Sequence, residues 1–376
     1  MTEIISPYRI PLFNALARHP EVELHVVFLA ETDPELRQWR VYKEELEFSY
    51  EVLPSWRKHV GGYHVLLNRG VGRALSAFAP DAILCGGYNY FASWQALLWA
   101  KSHNVRLLLW SESHQHELRL TRPLVEFLKD EFLHRCSGFV VPGQLAREYI
   151  RLRKIRDDII FTAPNAVDNG LFAAAAADAR RNGAERRREL ALPDRYFLFA
   201  GRLVPEKGVF DLLWAYAKLE EPIRRRTGLV FAGDGVSRQE LEQEAASISP
   251  GIIRFAGFAQ REQLASYYAL AEMLVLPTYT DTWGLVVNEG MACGLPLILS
   301  HAAGCAPDLL RENWNGVLIP PGDVLSLSSA MRSLAGQPDL CARMGANSLQ
   351  HIAHYSAEEW SIGIVRAVEA VGGARD

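Results

Sequence analysis

The chain has 376 residues, 49% hydrophobic and 22% charged, with a formal net charge of -4. A length of this order reads as two domains, and the composition suits a chain that fills real cores, which excludes a single small module and a disordered polymer. The mildly negative charge gives no global field for holding nucleic acid, so no nucleic-acid partner is expected.

In chain order, the first apolar pair is Ile4-Ile5, a short strand signal cut off by Pro7. Short apolar, β-branched runs then alternate with longer amphipathic stretches. Val22 to Leu29, Ala82 to Cys85, Val105 to Leu109, Gly138 to Val141 and Ile159 to Thr162 predict strands with helices between them. This rhythm predicts βαβ units and parallel sheets covered on both faces, an α/β fold. It breaks over residues 171–194, where Ala173 to Ala177 and Arg186-Arg187-Arg188 carry no strand signal, and an inter-domain linker is predicted there. The rhythm restarts at Tyr196 to Ala200 and runs through Leu229 to Ala232, Ile252 to Phe255, Met273 to Leu276, Leu297 to Ser300 and Gly316 to Ile319. The predicted organisation is an amino-terminal Rossmann-like domain over 1–170, the linker, and a carboxyl-terminal Rossmann-like domain over 195–355. A closing helix over 356–376, spaced through Trp360, Ile364 and Val368, is predicted to cross back to the first domain.

Cys85, Cys136, Cys293, Cys305 and Cys341 are scattered, with no CxxC spacing, so reduced thiols are expected. The first residues lack a basic leader with an apolar core, and no apolar stretch approaches the ~18 residues that span a bilayer. The expected setting is cytoplasmic, or peripheral at the inner face of a membrane.

Two segments carry chemistry. Gly201-Arg202-Leu203-Val204-Pro205-Glu206-Lys207-Gly208 joins a buried strand to a helix, at the carboxyl edge where open α/β sheets bind ligands. The planar fork of Arg202 and the compact charge of Lys207 suit a diphosphate, although a solvated loop would carry the same charges. The second segment, residues 277–296, runs from a strand end into a helix for which Thr282 is the expected cap. The amides of Gly284 and Leu285 at that helix start form an anion site, and Gly284 lets a phosphate come close. Asp281 precedes the helix and Glu289 lies within it, roughly 12 Å away at about 1.5 Å per residue, too far for a hydrolytic acid/base pair and suited to opposite ends of one extended ligand.

Together with Phe231-Ala232-Gly233-Asp234-Gly235, Phe255-Ala256-Gly257-Phe258, Pro164-Asn165-Ala166-Val167-Asp168 and Asn315-Gly316-Val317-Leu318-Ile319-Pro320, these segments resemble the GT-B-fold retaining glycosyltransferases of family 4. The resemblance covers nearly the whole chain in the right order. It implies two Rossmann-like domains facing across a cleft, an acceptor-binding first domain and a nucleotide-sugar-binding second one. It implies transfer of a sugar from a nucleotide diphosphate sugar to an acceptor hydroxyl, with retention, in polysaccharide or glycolipid assembly. Arg202 and Lys207 would then bind the donor diphosphate, Glu289 the ribose, Asp281 the donor sugar, and Phe258 with nearby backbone, Gly201 included, the nucleotide. Asp281 stands where the family more often has glutamate.

In the first domain Tyr8 and Arg9 follow the first strand and are candidates for acceptor or phosphate contact. Glu112 and His114, after another strand, both remain candidates for the place near the anomeric carbon. Tyr88 and Asn89 end a further strand expected at the same cleft. His114 and His116 form an HxH without a third ligand, so no metal is expected; no Asp-x-Asp triplet occurs, and no cofactor beyond the donor substrate is implied. The partners expected are a nucleotide-sugar donor and a glycan, glycolipid or small-molecule acceptor. The basic segment Arg147 to Arg156 reads either as a solvated helix face or as a peripheral membrane contact, and a second basic run is Arg224-Arg225-Arg226. Alternatives are a nucleotide-sugar 2-epimerase of the same architecture and a non-catalytic sugar-nucleotide or glycan-binding protein. A nicotinamide dehydrogenase is disfavoured because no GxGxxG follows the first strand.

Overall fold

The computed structural model describes residues 1–33, 39–60, 63–115 and 123–372. The chain folds as two compact units, Met1–Ala166 with Ala357–Asp376, and Val167–Ser356.

In the first unit the strands Ala82–Cys85, Arg106–Trp110, Gly138–Val141 and Ile160–Thr162 pair in parallel in that order, and His25–Phe28 pairs in parallel with Ser49–Val52. The opening residues join the two ladders. The Thr2 N–H donates to the Val27 carbonyl at 3.0 Å and the Gly86 N–H to the Met1 carbonyl at 2.9 Å. Ile4 and Ile5 are buried, so two apolar residues suffice for a central position because neighbours on both sides cover them. An antiparallel hairpin, Ser55–Val60 with Tyr63–Asn68, was not anticipated. The closing helix Ala357–Gly372 packs in this unit. Its Trp360 is 0% exposed and lies 5.8 Å from the Phe13 ring and 5.2 Å from the Trp110 ring.

In the second unit the parallel sheet runs Ile253–Gly257, Gly228–Ala232, Tyr196–Ala200, Met273–Leu276, Leu297–Ser300, Gly316–Ile319. Four of these strands are buried along their whole length, which explains their unbroken apolar runs. From Tyr196–Ala200 the chain winds outward in one direction, and from Met273–Leu276 in the other. The topological switch point therefore lies between these two strands, and ligands of doubly wound sheets bind at the carboxyl ends there.

Residues 171–194 are not a linker. Asn169–Arg181 and Gly183–Glu189 are helices of the second unit, and the Asp168 carboxylate caps the first by accepting from the Leu171 N–H at 2.8 Å. The alanine run that lacks strand signal is strong helix-forming sequence, and Phe172, Ala176 and Ala179 are buried by the packing. Arg180 fastens the helix by donating to the Ala269 carbonyl at 3.0 Å and to that of Cys293.

Candidate functional site

The two strands flanking the switch point end at Ala200 and Leu276, and the loops that follow are the two segments singled out above. The Gly201 N–H remains in the sheet, donating to the Ala232 carbonyl at 3.0 Å. The chain then turns through Pro205–Lys207 to Gly208, whose φ of +67° opens the next helix; a Cβ there would lie 2.2 Å from the Pro277 carbonyl oxygen, so glycine is required. Further bonds lace the loops together. The Tyr279 N–H and the Thr278 hydroxyl donate to the Glu206 carbonyl at 2.8 and 2.9 Å.

This lacing delivers the Lys207 ammonium to the Asp281 carboxylate at 2.5 Å, with the side chains 15% and 16% exposed. The contact joins residues 74 apart that the sequence assigns to different parts of the donor, the diphosphate and the sugar. The expected Thr282 cap is corrected. The helix is Leu285–Ala292, Gly284 is its N-cap at φ +95°, and no side chain caps it, because Gly284 turns the chain into the helix abruptly. A Cβ on Gly284 would stand 3.5 Å from Asp281 Oδ2. Ammonium, carboxylate and uncapped helix start thus share one small volume. Arg202 is exposed on the same loop and pairs with no acid among the described residues.

Glu289 lies inside that helix, partly buried, and accepts from the Tyr268 hydroxyl at 2.6 Å. Burial pushes the Glu289 carboxyl up to about 7, and the bond from Tyr268 pulls the other way. Tyr268 carried no functional signal in the sequence, where it reads as an ordinary core aromatic. Phe258 is exposed just past Gly257, whose carbonyl accepts from the Gly233 N–H at 2.8 Å.

In the first unit Arg9 and Glu112 meet at 3.3 Å, and the Asn165 side-chain amide donates to the same carboxylate oxygen at 3.1 Å. The Arg9 guanidinium lies 4.1 Å over the Trp110 ring. Tyr8 packs edge-on to Trp39, Tyr88 packs near Phe132, and Asn89 is exposed. His114 is only 2% exposed, whereas Glu112 is partly open to solvent. His116 lies outside the described residues, among which no group of three His, Cys, Asp or Glu is placed to hold a metal.

The basic segment 147–156 is largely paired on its own surface: Arg147 with Asp157 at 2.9 Å, Arg153 with Glu126 at 2.7 Å and Asp130 at 3.0 Å, and Arg156 with Asp158. Arg224 of the second run is structural, donating to the Ala217 and Pro250 carbonyls at 2.7 and 2.8 Å. Among the described residues no helix is long and apolar enough to cross a membrane. Replacing Arg151 and Arg153, which pair with Asp157 and with Glu126 and Asp130, by glutamine is expected to leave co-sedimentation with anionic liposomes at the wild-type level, because paired cations add little surface attraction; loss of a wild-type binding signal would restore the membrane reading.

Known proteins share part of this sequence and its fold. The chain is 33% identical over 186 residues to the D-inositol 3-phosphate glycosyltransferase of Streptomyces bingchenggensis, a match covering 46% of this chain and 40% of that one. It is 28% identical over 291 residues to the alpha-D-kanosaminyltransferase of Streptomyces kanamyceticus, covering 75% and 73%. The chain thus spans about 40% of the length of inositol-phosphate relatives such as the first. Anabaena Alr3699/HepE, solved in complex with UDP and glucose, superposes with a TM-score of 0.75 over 98% of this chain and 100% of that one at 16% identity, a likeness of fold. Residues 183–351, most of the second unit, match the family described as glycosyl transferases group 1, and the fold is the α/β, two-unit GT-B architecture of glycosyltransferases.

Proposed function

We propose that the chain is a glycosyltransferase that moves a sugar from a nucleotide diphosphate sugar to an acceptor hydroxyl with retention of anomeric configuration, in polysaccharide or glycolipid assembly. The observation that carries this reading is the meeting of Lys207, Asp281 and the uncapped start of helix Leu285–Ala292 at the switch point. The hard part of the reaction is the negative charge that builds on the departing diphosphate. The ammonium of Lys207, the guanidinium of Arg202 and the amides of Gly284 and Leu285 stabilise it as fixed donors that need no reorganisation at the moment of transfer. Asp281 keeps the Lys207 ammonium in place, and a three-proton donor can serve a carboxylate and a phosphate oxygen together. Glu289 takes the ribose diol and Phe258 covers the nucleobase. No metal is needed to bridge the phosphates.

The acceptor side is assigned to the first unit. Glu112, held by Arg9 and Asn165, is the group that can reach an acceptor hydroxyl, since His114 is buried. The relatives' names speak for sugar transfer, and HepE's complex with UDP and glucose makes UDP the first nucleotide to try. A thermal-shift panel of UDP, GDP and ADP sugars tests the reading. One of them, at 100 times its dissociation constant, is expected to stabilise the fold by about 2.7 kcal/mol. No shift with any of the three would refute it, and an epimerised nucleotide sugar formed from donor alone would replace it with the isomerase.

A further inference from the structure

We propose that Tyr268 is a positioning residue that orients the Glu289 carboxylate for the ribose of the nucleotide, so that its hydroxyl governs both the strength and the pH profile of nucleotide binding. The inference rests on the donor reading above. Tyr268 lies on the helix Arg261–Leu270, is 0% exposed, and meets Phe172 edge-on at 6.2 Å, so its ring is fixed by packing. Its hydroxyl donates to Glu289 Oε2 at 2.6 Å. That single bond sets the rotation of the carboxylate and leaves Oε1 free to accept from a vicinal diol.

The other titratable or charged groups around Glu289 do not substitute for it. Cys293, at the C-cap of the same helix, is a buried thiol whose ionisation burial opposes. Arg180, reaching in from Asn169–Arg181, donates to the Ala269 and Cys293 carbonyls. Among the described residues Tyr268 is the side-chain donor on this carboxylate. A half-desolvated carboxylate that loses its donor takes up a proton more readily, and a neutral acid is a poorer acceptor for ribose hydroxyls. The sign follows. Nucleotide binding strengthens as pH rises through about 7, where Glu289 ionises, and removing the tyrosine hydroxyl moves that midpoint upward.

The test is calorimetric titration of UDP, GDP and ADP into the whole protein between pH 6 and pH 9, with the wild type, Tyr268→Phe, Glu289→Gln and the double variant. Glu289→Gln reports the pH dependence of the nucleotide's own phosphate, against which the others are compared. Tyr268→Phe is expected to bind about tenfold more weakly at pH 7 and to recover toward the wild type at pH 9, while the double variant is no weaker than Glu289→Gln alone. Weakening of Tyr268→Phe by the same factor at every pH, or additive losses in the double variant, would reduce the tyrosine to a packing role. Wild-type-like binding by Tyr268→Phe, with Glu289→Gln impaired, would overturn the inference and leave the donor reading intact. A wild type that binds none of the three nucleotides would overturn both.

Discussion

Replacing Lys207 by alanine lowers kcat by about 10²- to 10³-fold, the cost of removing one fixed donor from a developing oxyanion, about 2.7–4 kcal/mol. Lys207 faces this loss because its ammonium is prealigned: the loop that carries it is turned by Gly208 and tied to the neighbouring loop through Glu206, and its charge is held 2.5 Å from Asp281. The same change takes the Lys207 ammonium away from an Asp281 carboxylate that is only 16% exposed, so it also lowers stability. A second variant separates the two effects. Lys207→Ala combined with Asp281→Ala is expected to regain part of the lost stability, since the poorly exposed carboxylate is removed along with its ammonium, while its turnover stays as low as that of Lys207→Ala. Recovery of turnover in the double variant would show that the pair is structural. Arginine at 207 is not an equivalent replacement, because its longer planar fork does not fit the place of a compact ammonium between a carboxylate and a helix start.

The largest stability effect is expected at Trp360. Its indole is fully buried between Phe13 and Trp110, and truncation to alanine costs about 3–5 kcal/mol through lost contacts and an unfilled cavity. Trp360 comes from the end of the chain and its neighbours from near the start and from a central strand, so the cost falls on the first unit as a whole. Differential scanning calorimetry of Trp360→Ala should show melting of the first unit lowered by about 10 °C or more, at roughly 2–4 °C per kcal/mol. A drop below about 2 °C would mean that the closing helix is peripheral to that core.

How much was legible beforehand follows from burial. Tyr196–Ala200, Met273–Leu276, Leu297–Ser300 and Gly316–Ile319 were read at their observed bounds, because parallel strands covered on both faces need unbroken apolar runs. Ser49–Val52 and Ser55–Val60 were missed because they mix charged and apolar side chains, like Arg57 beside Trp56. The Gly61-Gly62 dipeptide between the runs Ser55–Val60 and Tyr63–Asn68 is an available hairpin signal. Helix Asn169–Arg181 was misread for a different reason: a search for strand rhythm passes over alanine, which is silent in that pattern and favourable in a helix.

Within the candidate site, single residues were legible and their partnerships were not. Arg202, Lys207, Asp281 and Glu289 stand out as charges in apolar or glycine-rich surroundings. That Lys207 meets Asp281, and that Tyr268 holds Glu289, depends on which strands are neighbours in the sheet and on how the helices over it are turned. Neither is encoded within a local window. In the first unit Asn165 was noted only as part of a motif, and its bond to Glu112 bridges residues 53 apart.

The central claim is that a guanidinium, an ammonium and two main-chain amides at the switch point bind a pyrophosphate. Its most direct test is calorimetric titration of UDP, GDP and ADP into the wild type and into Arg202→Ala/Lys207→Ala at matched ionic strength, with the corresponding nucleosides as controls. The account predicts that the wild type binds at least one nucleoside diphosphate far more tightly than its nucleoside, and that the double variant loses that difference. A double variant that keeps the diphosphate preference would contradict it.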